Sequence, residues 1–544
     1  MKMADDTLMS CEGFELFTAL QNSDTDGRHN VMQHIMELMC EWARNTQVDL
    51  EDETKLKPYL CTLLRISYEC PYEEERLKCQ ELLQDLKNEY HIDIPKRLQN
   101  RPSKFVDISE IEVYKTMEES VQNLFIESYL TTGRITNIAR VMSCHPKYMK
   151  IFQETHNQLF YGPGLLPHHW RHYIAILAAS RHNCLYMMQL HAEAFRLYQR
   201  DIHWLKGLSN ASQKLINFED LLNRLTYQPW TIQKEHIDEL VVGESAWSIS
   251  ELVQAVVIVS HVVSVVGFYY GCGIHDEIDF KDGHTYSEMA ANGKNDEDNL
   301  VHAMNQTKKK LDITDEEKRQ KLLAVMSEYK SLQERHELLS EDKVLEEIEL
   351  FFRQETDHLA DESEIEDTKI SIIDNFMDNR SIEQSTDFAK LSLEDRQQMA
   401  LRTQEFSWED QGFSVVSRYY NDIIELLDEK FRIIYNLTYN KMGDTTNTDT
   451  KVLRTAVWNY IQMMKGVWDD YLYTSINKLV ATDFKQYIKM VACKPEKTSQ
   501  YLFHSGVYLY NGSEQVHLNL LFLESRNQAQ LLHALRAIMQ HSLA

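Results

Sequence analysis

Apolar positions along this chain recur mostly every third or fourth residue, and alternation of the strand type is scarce. The spacing predicts short amphipathic helices over residues 29–44 and 72–90, followed by a loop at 95–104. From 105 to about 274 the apolar load suffices for an independent helical core, with turns at 144–147 and 161–167. From 275 to about 403 the composition turns acidic and polar, which reads as a partly disordered linker. Two helices are still expected inside it. Thr314 and Glu317 form a capping box ahead of Leu322, Leu323, Val325 and Met326, and Leu345, Ile348, Phe351 and Phe352 make an apolar stripe. A second helical region opens at 406–413 and continues to the last residue, so the expected parts are 1–104, 105–274, 275–403 and 404–544 of an all-α fold.

One run, 252–275, carries no Asp, Glu, Lys or Arg. It is long enough to cross a bilayer, which takes about 20 apolar residues. Gln254, Ser260 and His261 within it, acidic residues on both sides and no Lys or Arg cluster predict a buried core helix and no membrane insertion. Composition fits long helices: 17 glycines and 9 prolines in 544 residues leave few tight turns, and 27 tyrosines, 21 methionines and 8 tryptophans can fill large cores. A formal charge of -27 repels nucleic-acid backbones and anionic membranes, which points to protein or small-molecule partners. Nine cysteines with neither a CxxC pair nor a Cys/His zinc spacing predict a reduced, intracellular protein with no metal and no cofactor. The first residues lack the basic-then-apolar pattern of a secretory signal.

Two stretches carry candidate chemistry. Residues 435–460, YNLTYNKMGDTTNTDTKVLRTAVWNY, place Thr438, Thr445, Thr446, Thr448 and Thr450 ahead of an amphipathic helix. Asp449 or Thr450 can cap that helix, and Arg454 adds a guanidinium in its first turn, so the segment suits a carboxylate; taken locally, it would more often be an ordinary polar loop. In 170–197, Cys184 and His191 are expected on one helix, seven residues and about 10 Å of rise apart, with Met187 between them. A histidinium, or Arg181 one turn earlier, would favour a Cys184 thiolate; a buried cysteine beside a hydrogen-bonded core histidine is the commoner outcome of such spacing.

The segments TTGRITNIARVMSCHPKYMKIF, WRHYIAILAASRHNCLYMMQLHAEAF, KEHIDELVVGESAWSISELVQA, YNLTYN, VLRTAVWNYI and VACKPEKT together resemble the sestrin family. The resemblance implies two helical halves of the AhpD type related by pseudo-symmetry and joined by a helical linker. It implies a Cys, Tyr and His set on Cys184, Tyr186 and His191, and thus an antioxidant, thiol-dependent alkyl hydroperoxide reductase activity. Met187 stands where the AhpD pattern has its second cysteine, and a thioether can neither form the resolving disulfide nor relay a proton. The other implied activity is a leucine and stress sensor that binds and inhibits the second GATOR complex and so restrains target-of-rapamycin complex 1. Its leucine contacts would fall on Thr438, Tyr439, Thr450, Leu453, Arg454, Val507, Tyr510, Glu514 and His517, with Glu514 at the ammonium. Lys441 replaces a second lid threonine of the vertebrate members and Val507 a pocket tryptophan, changes that bear on affinity and ligand choice. The partner complex would meet Asp469, Asp470 and Tyr471, which without a partner would be a solvated helix end. Such a sensor is expected in the cytoplasm, with the nucleus as a second compartment.

Overall fold

Helices dominate the computed structural model, which describes residues 17–46, 50–106, 118–199, 201–286 and 387–543, with 346–351, 376 and scattered positions between 317 and 327. Among the described residues the strands form only three two-residue pairs, so the fold is all-α as expected. Contacts divide the chain into two compact units, residues 1–153 with 273–312 and residues 154–272 with 313–544. The stretches expected as separate halves, 105–274 and 404–544, thus contribute most of their helices to the same unit.

In the first unit the helices Thr25–Thr46, Leu50–Glu69 and Glu73–Asn88 pack together. The first and third match the expected amphipathic stretches; the second, which contains Pro58, is an addition. Two ion-pair groups lie inside this unit. Arg28 Nε meets Glu75 Oε1 at 3.0 Å, and Asp279 accepts from Arg65 (2.8 Å) and Arg134 (3.1 Å). Burial alone would raise the Asp279 carboxyl, but the two guanidiniums outweigh it and hold the group below the usual carboxylate range.

The second unit is organised by two long helices packed on each other, Ile249–Gly271 and Gly512–Leu543. The first holds the apolar run. It is long and apolar enough to span a membrane, yet 94% of its most apolar window is buried inside the fold. Its start is a capping box, with Ser248 Oγ accepting from the Glu251 amide and Glu251 accepting from the Ser248 amide. Near its end a Cβ on Gly271 would meet Asn519 Oδ1 at 2.3 Å, so only glycine allows this approach.

The helix Gly512–Leu543 buries polar side chains along its length, and neighbouring elements bond several of them. Asn519 accepts from Tyr487, Gln530 donates to the Leu225 carbonyl at 2.8 Å, and His533 meets the Lys465 carbonyl at 2.8 Å. Glu524 pairs with Lys430 at 3.2 Å with both side chains fully buried. Such pairs stabilise little by themselves but penalise any slip in register, because a displaced charge would be left alone in the core. Within the expected linker, Ile348 and Phe351 are buried, with Phe351 edge-on to Tyr460, and Leu323 is exposed. Thr314, Leu322, Val325, Met326, Leu345 and Phe352 lie outside the described residues.

Candidate functional site

The hydroxyl-rich stretch folds into a small hairpin between two helices. The helix Asn421–Asn436 ends just before Thr438, Lys441–Met442 pairs antiparallel with Thr445–Thr446, and the helix Lys451–Met464 follows. Asn440, Gly443 and Asn447 sit at positive φ, a conformation that asparagine and glycine tolerate best. Asp449 rather than Thr450 caps the following helix, its carboxylate accepting from the Lys451 amide at 2.8 Å. Thr450 holds the cap position, but its hydroxyl instead accepts from Arg454 Nη1 at 2.6 Å. The same guanidinium donates through Nε to the Tyr435 carbonyl (3.1 Å), and the Thr450 and Thr438 hydroxyls are 3.4 Å apart. Burial lowers the Arg454 pKa and nearby Asp449 raises it; a guanidinium stays charged under both influences.

Glu514 is the other charged part. It is the third residue of the helix Gly512–Leu543 and reaches back to the Asn511 amide (3.0 Å), half of a capping box. Both of its oxygens also accept from the Gly443 amide, at 3.0 and 2.9 Å, and Asn511 Nδ2 donates to the Gly443 carbonyl at 3.1 Å. One carboxylate therefore caps the long helix and holds the hairpin tip. A carboxylate offers about four acceptor sites, so an ammonium donor can still be accommodated.

Of the wall residues, Leu453 and Val507 are almost completely buried, as is most of Tyr510, whose hydroxyl is raised in pKa by burial and then by the Glu514 charge. His517 is buried and meets the exposed Tyr439 ring edge-on at 6.5 Å, and Lys441 points to solvent. The fold thus brings Thr438, Thr450 and Arg454 into one hydrogen-bonded group, ties Glu514 to the hairpin, and pairs Tyr439 with His517. Sequence reasoning missed the Gly443 and Asn511 amides and the Tyr435 carbonyl. The Asn-x-x-Glu spacing at 511–514 was the available signal for one of them.

The thiol stretch differs from expectation. Residues 170–197 do not form one helix: His168–Ser180 ends, Asn183 turns at φ 53°, and Leu185–Tyr198 begins. Cys184 is the cap residue before that second helix, so its thiol and His191 do not share a helical face. A helix N-terminus favours a thiolate, but Cys184 is fully buried, and Arg181, the expected activating charge, is paired with Glu219 at 2.9 Å. Tyr186 stacks on Tyr269 with ring centres 4.7 Å apart.

His191 joins a group of interior histidines. Its Nδ1 is 3.2 Å from Nδ1 of His172, and Nδ1 of His156 is 3.3 Å from Nε2 of His261. Burial pushes all four below the ordinary histidine value, His156 to about 4, which makes them neutral hydrogen-bonding groups at neutral pH. Among the described residues no group of three or more His, Cys, Asp and Glu side chains is arranged to hold a metal ion.

Asp469 and Asp470 are exposed and follow the strand Val467–Trp468, which pairs in parallel with Leu401–Arg402; they are not a helix end. Asp469 accepts from the Thr403 hydroxyl (2.6 Å), and the half-buried Tyr471 takes a bond from Ser475 (3.0 Å). Both aspartates line an open cleft of about 760 Å³ walled by Trp408, Asp428, Tyr435 and Trp458. The cleft lies apart from Glu514. It shares Tyr435 with the Arg454 cluster, whose guanidinium holds that residue's carbonyl.

The chain is thus all-α, with a guanidinium and hydroxyl cluster at the start of the helix Lys451–Met464 and a carboxylate clamp at the start of the helix Gly512–Leu543. The family model described as PA26 p53-induced protein (sestrin) matches residues 101–542. Sestrin-1 of Xenopus laevis is 37% identical over 487 residues, covering 88% of this chain and all of that protein. Sestrin-3 of Mus musculus is 37% identical, covering 86% and 97% of the two chains, and Sestrin-2 of Homo sapiens 36%, covering 81% and 91%. The chain belongs to the sestrin family.

Proposed function

We propose that this sestrin is an intracellular amino-acid sensor, with leucine as the favoured ligand. Arg454, Thr438 and Thr450 receive the ligand carboxylate, Glu514 its ammonium, and Leu453, Val507, Tyr510, His517 and Tyr439 its side chain. The observation that carries this reading is the double engagement of Glu514, which caps one helix and grips the hairpin at Gly443. A ligand bound there alters the acceptor that fixes the hairpin, and it shifts an equilibrium by its differential affinity for the two arrangements.

The partner in this proposal is the second GATOR complex, met by Asp469, Asp470 and Tyr471, with restraint of target-of-rapamycin complex 1 in the cytoplasm and nucleus as the outcome. Tyr435 supplies a physical link, since it lines the aspartate cleft and its carbonyl is held by Arg454. The two AhpD-like halves belong to the same proposal. Calorimetry with leucine tests it: the wild type gives saturable heat, and Arg454→Lys, which keeps charge but loses the fork, weakens binding at least about tenfold. Equal binding by both proteins refutes the assignment.

A further inference from the structure

The base of the hairpin is clasped by a run of hydrogen bonds. The Thr448 amide donates to the Asn440 carbonyl (3.0 Å), and the Asn440 amide donates to the Thr438 hydroxyl (3.1 Å). That hydroxyl meets Thr450, which takes its bond from Arg454. The Thr448 hydroxyl is not used in this clasp. Thr448 is 4% exposed, and its Oγ1 has no hydrogen-bond partner among the described residues.

A hydroxyl buried in this way has lost its water without compensation, and threonine ordinarily avoids that penalty by bonding a nearby backbone group. Buried polar groups are nearly always paired, so an orphan marks a place where a partner belongs. Thr448 stands two residues before Thr450, whose hydroxyl engages the guanidinium, and its amide is tied through Asn440 to the Thr438 hydroxyl of the same cluster.

We infer that Thr448 is a further ligand-contacting residue, its hydroxyl donating to the carboxylate of the amino acid held by Arg454 and Thr450. The inference rests on the amino-acid reading above. Because the contact is to the carboxylate, common to all α-amino acids, Thr448 sets affinity without choosing among side chains.

The test uses the full chain, as wild type, Thr448→Val and Thr448→Ser, in calorimetry with leucine and with methionine, and in thermal unfolding without ligand. Thr448→Val weakens both ligands by about tenfold, the worth of one bond to a charged group. Thr448→Ser stays within about twofold of wild type, and ligand-free Thr448→Val melts no lower than wild type, because it loses an unpaired group. Unchanged binding by Thr448→Val overturns the inference, as does a lower ligand-free melting point, which would mean the hydroxyl is bonded within the fold. Loss of one ligand only also overturns it. A wild-type protein that binds neither amino acid refutes the amino-acid reading itself, an outcome distinct from the others.

Discussion

Glu514→Ala is the substitution whose consequences the structure specifies most fully. It removes a carboxylate that accepts from the Asn511 amide at the start of the helix Gly512–Leu543 and from the buried Gly443 amide at the hairpin tip. Losing the helix-end bond costs about 1 kcal/mol, as for a cap. Leaving the Gly443 amide buried without an acceptor costs about 1–3 kcal/mol. The expected loss is therefore about 2–4 kcal/mol with no ligand present, read by chemical denaturation, with faster hydrogen exchange at Gly443 and Asn511 and little change in remote helices. Glu514→Gln separates the roles. Its carbonyl oxygen still accepts from one amide, so about half of that stability is retained, while the charge needed by an ammonium is gone and leucine binding falls as far as in Glu514→Ala. Unchanged stability and unchanged exchange at Gly443 in Glu514→Ala would refute the clamp.

The interior histidines predict acid sensitivity. A folded-state pKa of about 4 for His156, against an ordinary 6.5, means that the unfolded chain binds more protons between those values. The stability contributed is complete above pH 6.5 and is lost as pH falls toward 4, by about 3 kcal/mol from His156 alone; a denaturation midpoint that stays flat from pH 7 to 4.5 contradicts this. The buried Lys430–Glu524 pair predicts that Lys430→Met costs about 3–5 kcal/mol by stranding Glu524, and that Lys430→Met with Glu524→Leu regains most of it in the same assay. A double variant no more stable than the single one speaks against an isolated pair.

Helical class, the buried character of the apolar run and the turns near 144 and 161 were legible in the residues, because they follow from short-range spacing and from turn residues acting locally. The break at Asn183 was not. Apolar spacing continues through it, and the turn is held by distant partners: His182 meets Glu496 and Arg526, and Tyr227 bonds the Arg181 carbonyl. The candidate site divides in the same way. Thr450 and Arg454 are four residues apart on one helix start, so their contact is a local event that spacing announces. Glu514 and Gly443 are 71 positions apart, and their bond exists only because the long helix and the hairpin are packed together. By itself the sequence determined the helical class, the family pattern and one half of the site. The joining of carboxylate to hairpin, and the orphan hydroxyl of Thr448, were decided by tertiary packing, which alone determines what a buried polar group has within reach.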